Sequence, residues 1–191
     1  MPRQIAGAEV CEMCATPIDE RHPHLVDMRD RRLLCACRAC HMLFVPDGAA
    51  QGRYRAVGTR VAALPRSLID GPQFDALQIP IGLAFLFFNS ATNRVEAFYP
   101  GAAGATQSEL SMDAWTMLVS EEPLLQTMQP DIEAALVYRR RGGTSEAYVV
   151  PIDACYELVA LVRMAWQGFD GGDDARERIE GFFARIRGQC A

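Results

Sequence analysis

Thiol and imidazole side chains crowd into one short stretch of this chain. Between Cys11 and His41 the sequence reads CEMC-(x7)-HPH-(x10)-CACRACH, holding five of the seven cysteines and all three histidines. These residues share no helix or strand period. They share a chemistry, and for Cys and His the common partner is usually a metal ion. Cys11-x2-Cys14 and Cys37-x2-Cys40 form two knuckles, with 22 residues between them. In each knuckle a tight turn brings two sulfurs to one side of an ion, and two knuckles complete a tetrahedral set. A closed four-thiolate site of this kind is structural, because catalytic zinc keeps an open position. Zn2+ is favoured over iron, because rubredoxin-like knuckles usually carry Gly after the second Cys. Here Ala15 and His41 stand there instead.

Cys35, His22, His24 and His41 exceed what one ion needs. They could supply a second, labile site or replace one thiolate. In the plainer reading Cys35 packs and the histidines face solvent. Pro23 disfavours helix at the preceding residue, so His22-Pro23-His24 is expected to be extended. Alternate residues of an extended segment point to opposite sides, which predicts one ligand from the pair rather than two. Leu33-Leu34-Cys35 running into Cys37-x2-Cys40-His41 also resembles the zinc-stapled end of an HNH nuclease, with His22 or His24 as general base. Against that reading, no His-His or Asp-His pair precedes the stretch and the surroundings are not strongly basic.

The rest of the composition limits what such a site could do. All 19 basic residues are arginine. Without lysine, Schiff-base catalysis, pyridoxal-phosphate anchoring and a Walker-type phosphate lysine are excluded. No histidine follows His41, so no Ser-His-Asp or Cys-His centre can lie wholly within residues 42–191. Residues 1–66 carry a charge of +3 and residues 67–191 a charge of −8, giving the net −5. An acidic chain without a broad basic surface is a poor nucleic-acid binder. No secretory signal pattern opens the chain, and the apolar run Ile79–Phe88 is too short to span a bilayer. The expected compartment is the cytoplasm, where thiols stay reduced and clustered cysteines read as metal ligands.

Elements must then position these residues. The reading divides the chain into a flexible arm (1–10), a Cys/His metal-binding module (11–45), a linker (46–52) and an α+β body (53–191). Arg53 to Leu64 reads as one strand interrupted near Gly58. Leu83 to Ser90, apolar on both faces, reads as a buried central strand that turns at Thr92-Asn93 into Arg94 to Tyr99, with Pro100 ending it. Ser111 caps a helix carrying Met112, Trp115, Leu118 and Val119. A second hairpin, Ile132 to Arg140 and Ser145 to Val150, turns at Gly142-Gly143. A helix with the stripe Cys155, Leu158, Leu161, Val162 and Ala165 follows it. The last helix, about Asp173 to Arg187, carries Ile179, Phe182, Phe183 and Ile186. The pattern predicts an α+β fold: a small zinc-knuckle module, then an antiparallel sheet with helices on one face. EAFYP from Glu96 and EAYVVP from Glu146 suggest a duplicated ββα unit.

Weaker signals read as structural. Gly101-x2-Gly104-Ala-Thr106 is a connector rather than a phosphate loop. Arg139-Arg140-Arg141 is a solvated hairpin tip, Cys155 is core, and Glu96 and Glu146 are outward strand residues.

Taken together, CEMC-x7-HPHLVD-x4-RLLCACRAC-x2-LF, IPIGLAFLF, AFYPGAAGAT and VPIDACYELV resemble an uncharacterised, mainly actinobacterial domain-of-unknown-function family, number 5947. The resemblance covers about Cys11 to Phe183. Its members are often encoded near high-affinity [NiFe]-hydrogenase genes, which implies an accessory or assembly role with a protein partner, such as a metalloenzyme subunit. The expected function is therefore a non-enzymatic zinc-binding accessory protein, with metal ligands Cys11, Cys14, Cys37 and Cys40. Two alternatives stay open: an HNH-like metal-dependent nuclease or hydrolase, and a zinc-stabilised protein-interaction domain.

Overall fold

The structure is a computed structural model, described here for residues 9–70, 72–75, 82–110, 112–140, 145–167 and 171–190. Two compact units divide the chain, Met1–Gly58 and Thr59–Ala191.

The first unit is built on a hairpin, β1 (His24–Asp27) and β2 (Arg32–Cys35), with helix α1 (Arg38–Leu43) following directly. A third strand, β3 (Tyr54–Ala56), pairs with the far edge of β1, giving the order β2-β1-β3. Leu25 and Leu34 face each other across the hairpin and are both buried. With Cys11 and Ala36 they form a very small core, flanked by Met13, Ile18, Phe44 and Tyr54. Asp27 sets the turn. Its carboxylate accepts the backbone N–H of Arg29 (3.0 Å) and of Asp30 (3.2 Å), which reverses the chain as aspartate does in many turns. The same carboxylate accepts the Arg53 guanidinium at 3.0 Å, tying the entry of β3 to the hairpin. The Arg53 guanidinium, outweighing the cost of burial, holds the Asp27 carboxyl below its ordinary range.

The stretch expected to link module and body behaves otherwise. Residues Ala49–Gly52 form a 3-10 turn that feeds β3 into the first sheet. The single interrupted strand expected over 53–64 is two strands in different sheets: β3 here, and β4 (Ala62–Leu64) in the second unit. The two pieces are assigned to different sheets by their pairing partners, β1 for the first and β9 for the second.

The second unit is a six-stranded antiparallel sheet. After β4 come the short helices α2 (Arg66–Ile69) and α3 (Pro72–Asp75), then β5 (Leu83–Asn89), β6 (Arg94–Gly101) and β7 (Gly104–Glu109). Helices α4 (Met112–Glu121) and α5 (Pro123–Gln126) lead to β8 (Glu133–Tyr138) and β9 (Glu146–Pro151), and α6 (Ile152–Ala165) and α7 (Gly172–Gln189) close the chain. The strand order is β4-β9-β8-β5-β6-β7. The two expected hairpins are β5-β6 and β8-β9, joined through the central pair β5 and β8. The turn Ser90–Asn93 is organised by Asn89, whose side-chain oxygen accepts the Ala91 N–H at 3.0 Å, while Asn93 takes a left-handed φ of 53°. The expected turn at Gly142-Gly143 and the expected N-cap Ser111 lie outside the described residues.

The α+β class and the antiparallel sheet match the reading of the sequence. The placement of the helices is different, because they cover both faces. One face presents Leu86, Val95, Ala97, Ala135, Val137, Ala147 and Val149 to Trp115 and Leu118 of α4 and to Leu125 of α5. The opposite face presents Tyr138, which stacks on Phe183 of α7 with ring centroids 4.7 Å apart, and α6 packs beside α7. The cause is in the strands themselves. β5 and β8 are buried almost throughout, so each face needs its own cover. Two further expectations give way. Pro100 does not end β6, because it pairs with Ala105 of β7 through the glycine turn Gly101–Gly104. The GAAGAT connector is therefore a tight hairpin and the start of an edge strand.

Candidate metal centre

The two knuckles are built differently. Around the first, the Cys11 N–H donates to Thr16 O (2.8 Å) and the Ala15 N–H donates to Cys11 O (2.7 Å), closing the turn. Ala15 takes a left-handed φ of 59°, the conformation usually left to glycine. The second knuckle is the start of α1. Cys37 is its N-cap, and the Cys37 sulfur accepts the Cys40 N–H at 3.4 Å. One thiol pair thus hangs on a turn and the other on a helix start, with the hairpin between them.

These elements bring Cys11, Cys14, Cys37 and Cys40 together, with their sulfurs all within 4.8 Å of one another. Cys14 Sγ and Cys37 Sγ are 3.7 Å apart. A tetrahedral ion with metal–sulfur bonds of about 2.3 Å requires sulfurs ~3.8 Å apart, so the donor set fits such an ion. The thiols of Cys11, Cys14 and Cys40 are shifted in different directions. The Thr16 hydroxyl, the Thr16 backbone N–H and the Cys11 thiol hold Cys14 down to about 6. At Cys11 burial opposes ionisation, yet N–H groups of Cys37, Met13 and Cys14 carry the balance downward. Cys40 is pushed up to about 12 by burial and by its three sulfur neighbours. Four sulfurs at this spacing repel one another as thiolates, and a shared cation removes that conflict.

The surplus residues divide. His22, His24 and Cys35 form a second group, with ligand atoms also within 4.8 Å of one another. His24 and Cys35 are cross-strand partners in the β1–β2 register. The expectation that only one histidine of the pair would point to the site fails, because the two ring centroids lie 4.8 Å apart. Strand β1 begins at His24, so His22 lies outside it and strand alternation does not apply. His41 stands apart from both groups. Its Nε2 is 3.0 Å from Val57 O, fastening α1 to the end of β3.

Other candidates fall to structural roles. Cys155 is fully buried, which pushes its thiol well up. Glu96 accepts the Asn89 side-chain amide at 2.8 Å. Glu146 accepts the Tyr148 hydroxyl and Arg187, each at 2.7 Å, and also pairs with Arg140. Arg140 bonds Glu180 at 2.7 Å and is therefore part of an ion-pair network rather than a solvated tip. Arg139 pairs with Asp75, and Arg141 lies outside the described residues.

Some residues carried no signal in the sequence. Glu12, inside the first knuckle, accepts the Cys35 N–H at 2.7 Å and Arg32 at 2.9 Å. Arg60 grips the buried Glu133 with two bonds, of 2.8 and 2.6 Å. Both pairings join residues far apart in the chain, and no local pattern marks them.

The architecture is thus an α+β protein of two antiparallel sheets whose first unit gathers four cysteines as a metal site does. Residues 10–190 match a family of unknown function, DUF5947, and the chain belongs to that family. No curated protein matches the chain. No solved structure matches it. Among the described residues, no helix is long and apolar enough to cross a membrane.

Proposed function

We propose that this chain is a zinc-binding accessory protein, non-enzymatic itself, that serves the assembly of a metalloenzyme. The observation that carries the proposal is the convergence of Cys11, Cys14, Cys37 and Cys40 at a spacing suited to one tetrahedral ion. One ground for zinc over iron falls away, since Ala15 adopts the turn that a glycine would. The other ground for zinc is His41, which follows the second knuckle where a rubredoxin-like site carries glycine, and a bound ion is supported by the closed thiolate set in a unit with too small a core to hold itself. In such a unit metal binding is folding energy. A protein partner is supported by Met42, Leu43 and Val45, which lie together at the end of α1 and are 63%, 67% and 58% exposed. The proposed client is a metalloenzyme such as a [NiFe]-hydrogenase, and its support is the gene neighbourhood implied by the family resemblance.

Metal analysis with an absorbance spectrum tests the first part. Tightly held zinc without a visible band is the expected result. Thiolate-to-iron charge-transfer bands in the purified chain would overturn zinc. The client is tested in cells lacking the chain. Hydrogenase activity should fall and be restored by wild type but not by the double variant Cys37→Ser, Cys40→Ser. Unchanged activity would remove that client.

A further inference from the structure

We infer that the first unit carries a second metal site, formed by His22, His24 and Cys35, separate from the four cysteines. The His22 side chain is only 7% exposed. Its Nδ1 lies 2.8 Å from the Asp19 carbonyl oxygen, which can only accept. Nδ1 therefore carries the proton, and in the neutral ring Nε2 carries a lone pair. That Nε2 is buried and has no hydrogen-bond partner. A buried nitrogen left unpaired is costly, and an ion bound there would satisfy it. A metal-binding histidine typically donates its other ring N–H to a carbonyl or carboxylate. Here the carbonyl is that of Asp19, and a Glu9 carboxylate oxygen lies 3.4 Å from the same Nδ1.

The other two ligands are placed by the sheet. His24 and Cys35 face each other across β1 and β2, and directly opposite residues project to the same side. Cys35 is fixed from behind by Glu12. The Glu12 carboxylate accepts the Cys35 N–H at 2.7 Å, and the Glu12 N–H donates to Cys35 O at 2.9 Å. Two imidazole nitrogens and one sulfur make a borderline-soft set suited to Zn2+ or a similar divalent transition ion. Three protein ligands leave one coordination position for water or for a group from another molecule. Such an ion exchanges more readily than one enclosed by four thiolates. The inference does not depend on the four-cysteine reading.

Cobalt(II), which absorbs visibly when bound by thiolates, is the probe. The full metal-free chain is titrated under reducing conditions, and bound ions per chain are counted by metal analysis. Two ions per wild-type chain are expected, the weaker adding the band of a single thiolate. His22→Gln and Cys35→Ser should each remove that weaker ion and leave the four-thiolate bands unchanged. His24→Gln, on a partly exposed side chain, gives the same readout should either of the others fail to fold. Saturation of wild type at one four-thiolate ion, or retention of two ions in these variants, overturns the site. If the four-cysteine reading fails instead, the four-thiolate bands are missing and the single-thiolate ion remains.

Discussion

Ala15 holds a backbone conformation that costs an L-residue about 1–2 kcal/mol relative to the right-handed region, at φ 59°. Glycine would adopt it without that penalty, though it would give up more chain entropy on folding. Ala15→Gly is therefore expected to leave metal content unchanged and to shift stability upward by at most about 1 kcal/mol. Ala15→Val should destabilise, and urea unfolding of the metal-loaded chain reads both variants. The histidines divide in a similarly testable way. His41→Ala removes one hydrogen bond to Val57 O, which should cost about 1 kcal/mol while every bound ion stays. Loss of an ion from that variant would return His41 to the ligand set.

The hairpin that spaces the two knuckles depends on a buried carboxylate. Asp27 serves two backbone N–H groups and Arg53. Asp27→Asn keeps the shape and loses the charge, so a loss of about 2 kcal/mol is expected near neutrality. The pH dependence follows from the sign of the shift. The folded state holds the Asp27 carboxyl below its ordinary value. Its contribution is therefore complete above about pH 4, the unfolded value, and is lost as pH falls through the lower folded value. The stability gap between wild type and Asp27→Asn should stay level from pH 7 to about pH 5 and narrow below pH 4. A gap that widened in acid would contradict this account.

Across the whole molecule, the two units differ in what holds them. The second unit has a sheet buried on both faces, whereas the described residues of the first gather a core cluster of only Cys11, Leu25, Leu34 and Ala36, one of them a knuckle cysteine. Removing the ion is expected to act unevenly. Hydrogen exchange after treatment with a strong chelator should show amide protection lost in β1, β2 and α1. Protection in the central strands β5 and β8 should be kept. Loss of protection in both units together would mean that the ion supports more than its own module.

The sequence alone was enough to expose the four knuckle cysteines, the two hairpins, the stripe of the last helix and the α+β class. Each rests on a local pattern: a fixed spacing, a turn residue or a helical period. Where two outcomes share one local pattern, only the tertiary structure decided. Arg53 to Leu64 alternates in the same way whether it forms one strand or two, and pairing partners assigned its halves to different sheets. β5 and β8 are apolar on both sides in the sequence, and packing determined that helices cover both faces. The Cys11–His41 stretch shows the limit most clearly. Seven of its eight thiol and imidazole groups fall into two sets, because register places Cys35 against His24 and His22 lies before the strand, free of its alternation. The eighth, His41, is drawn away to Val57 O. Spacing along the chain can name metal ligands, but which of them share an ion depends on distances that only folding creates.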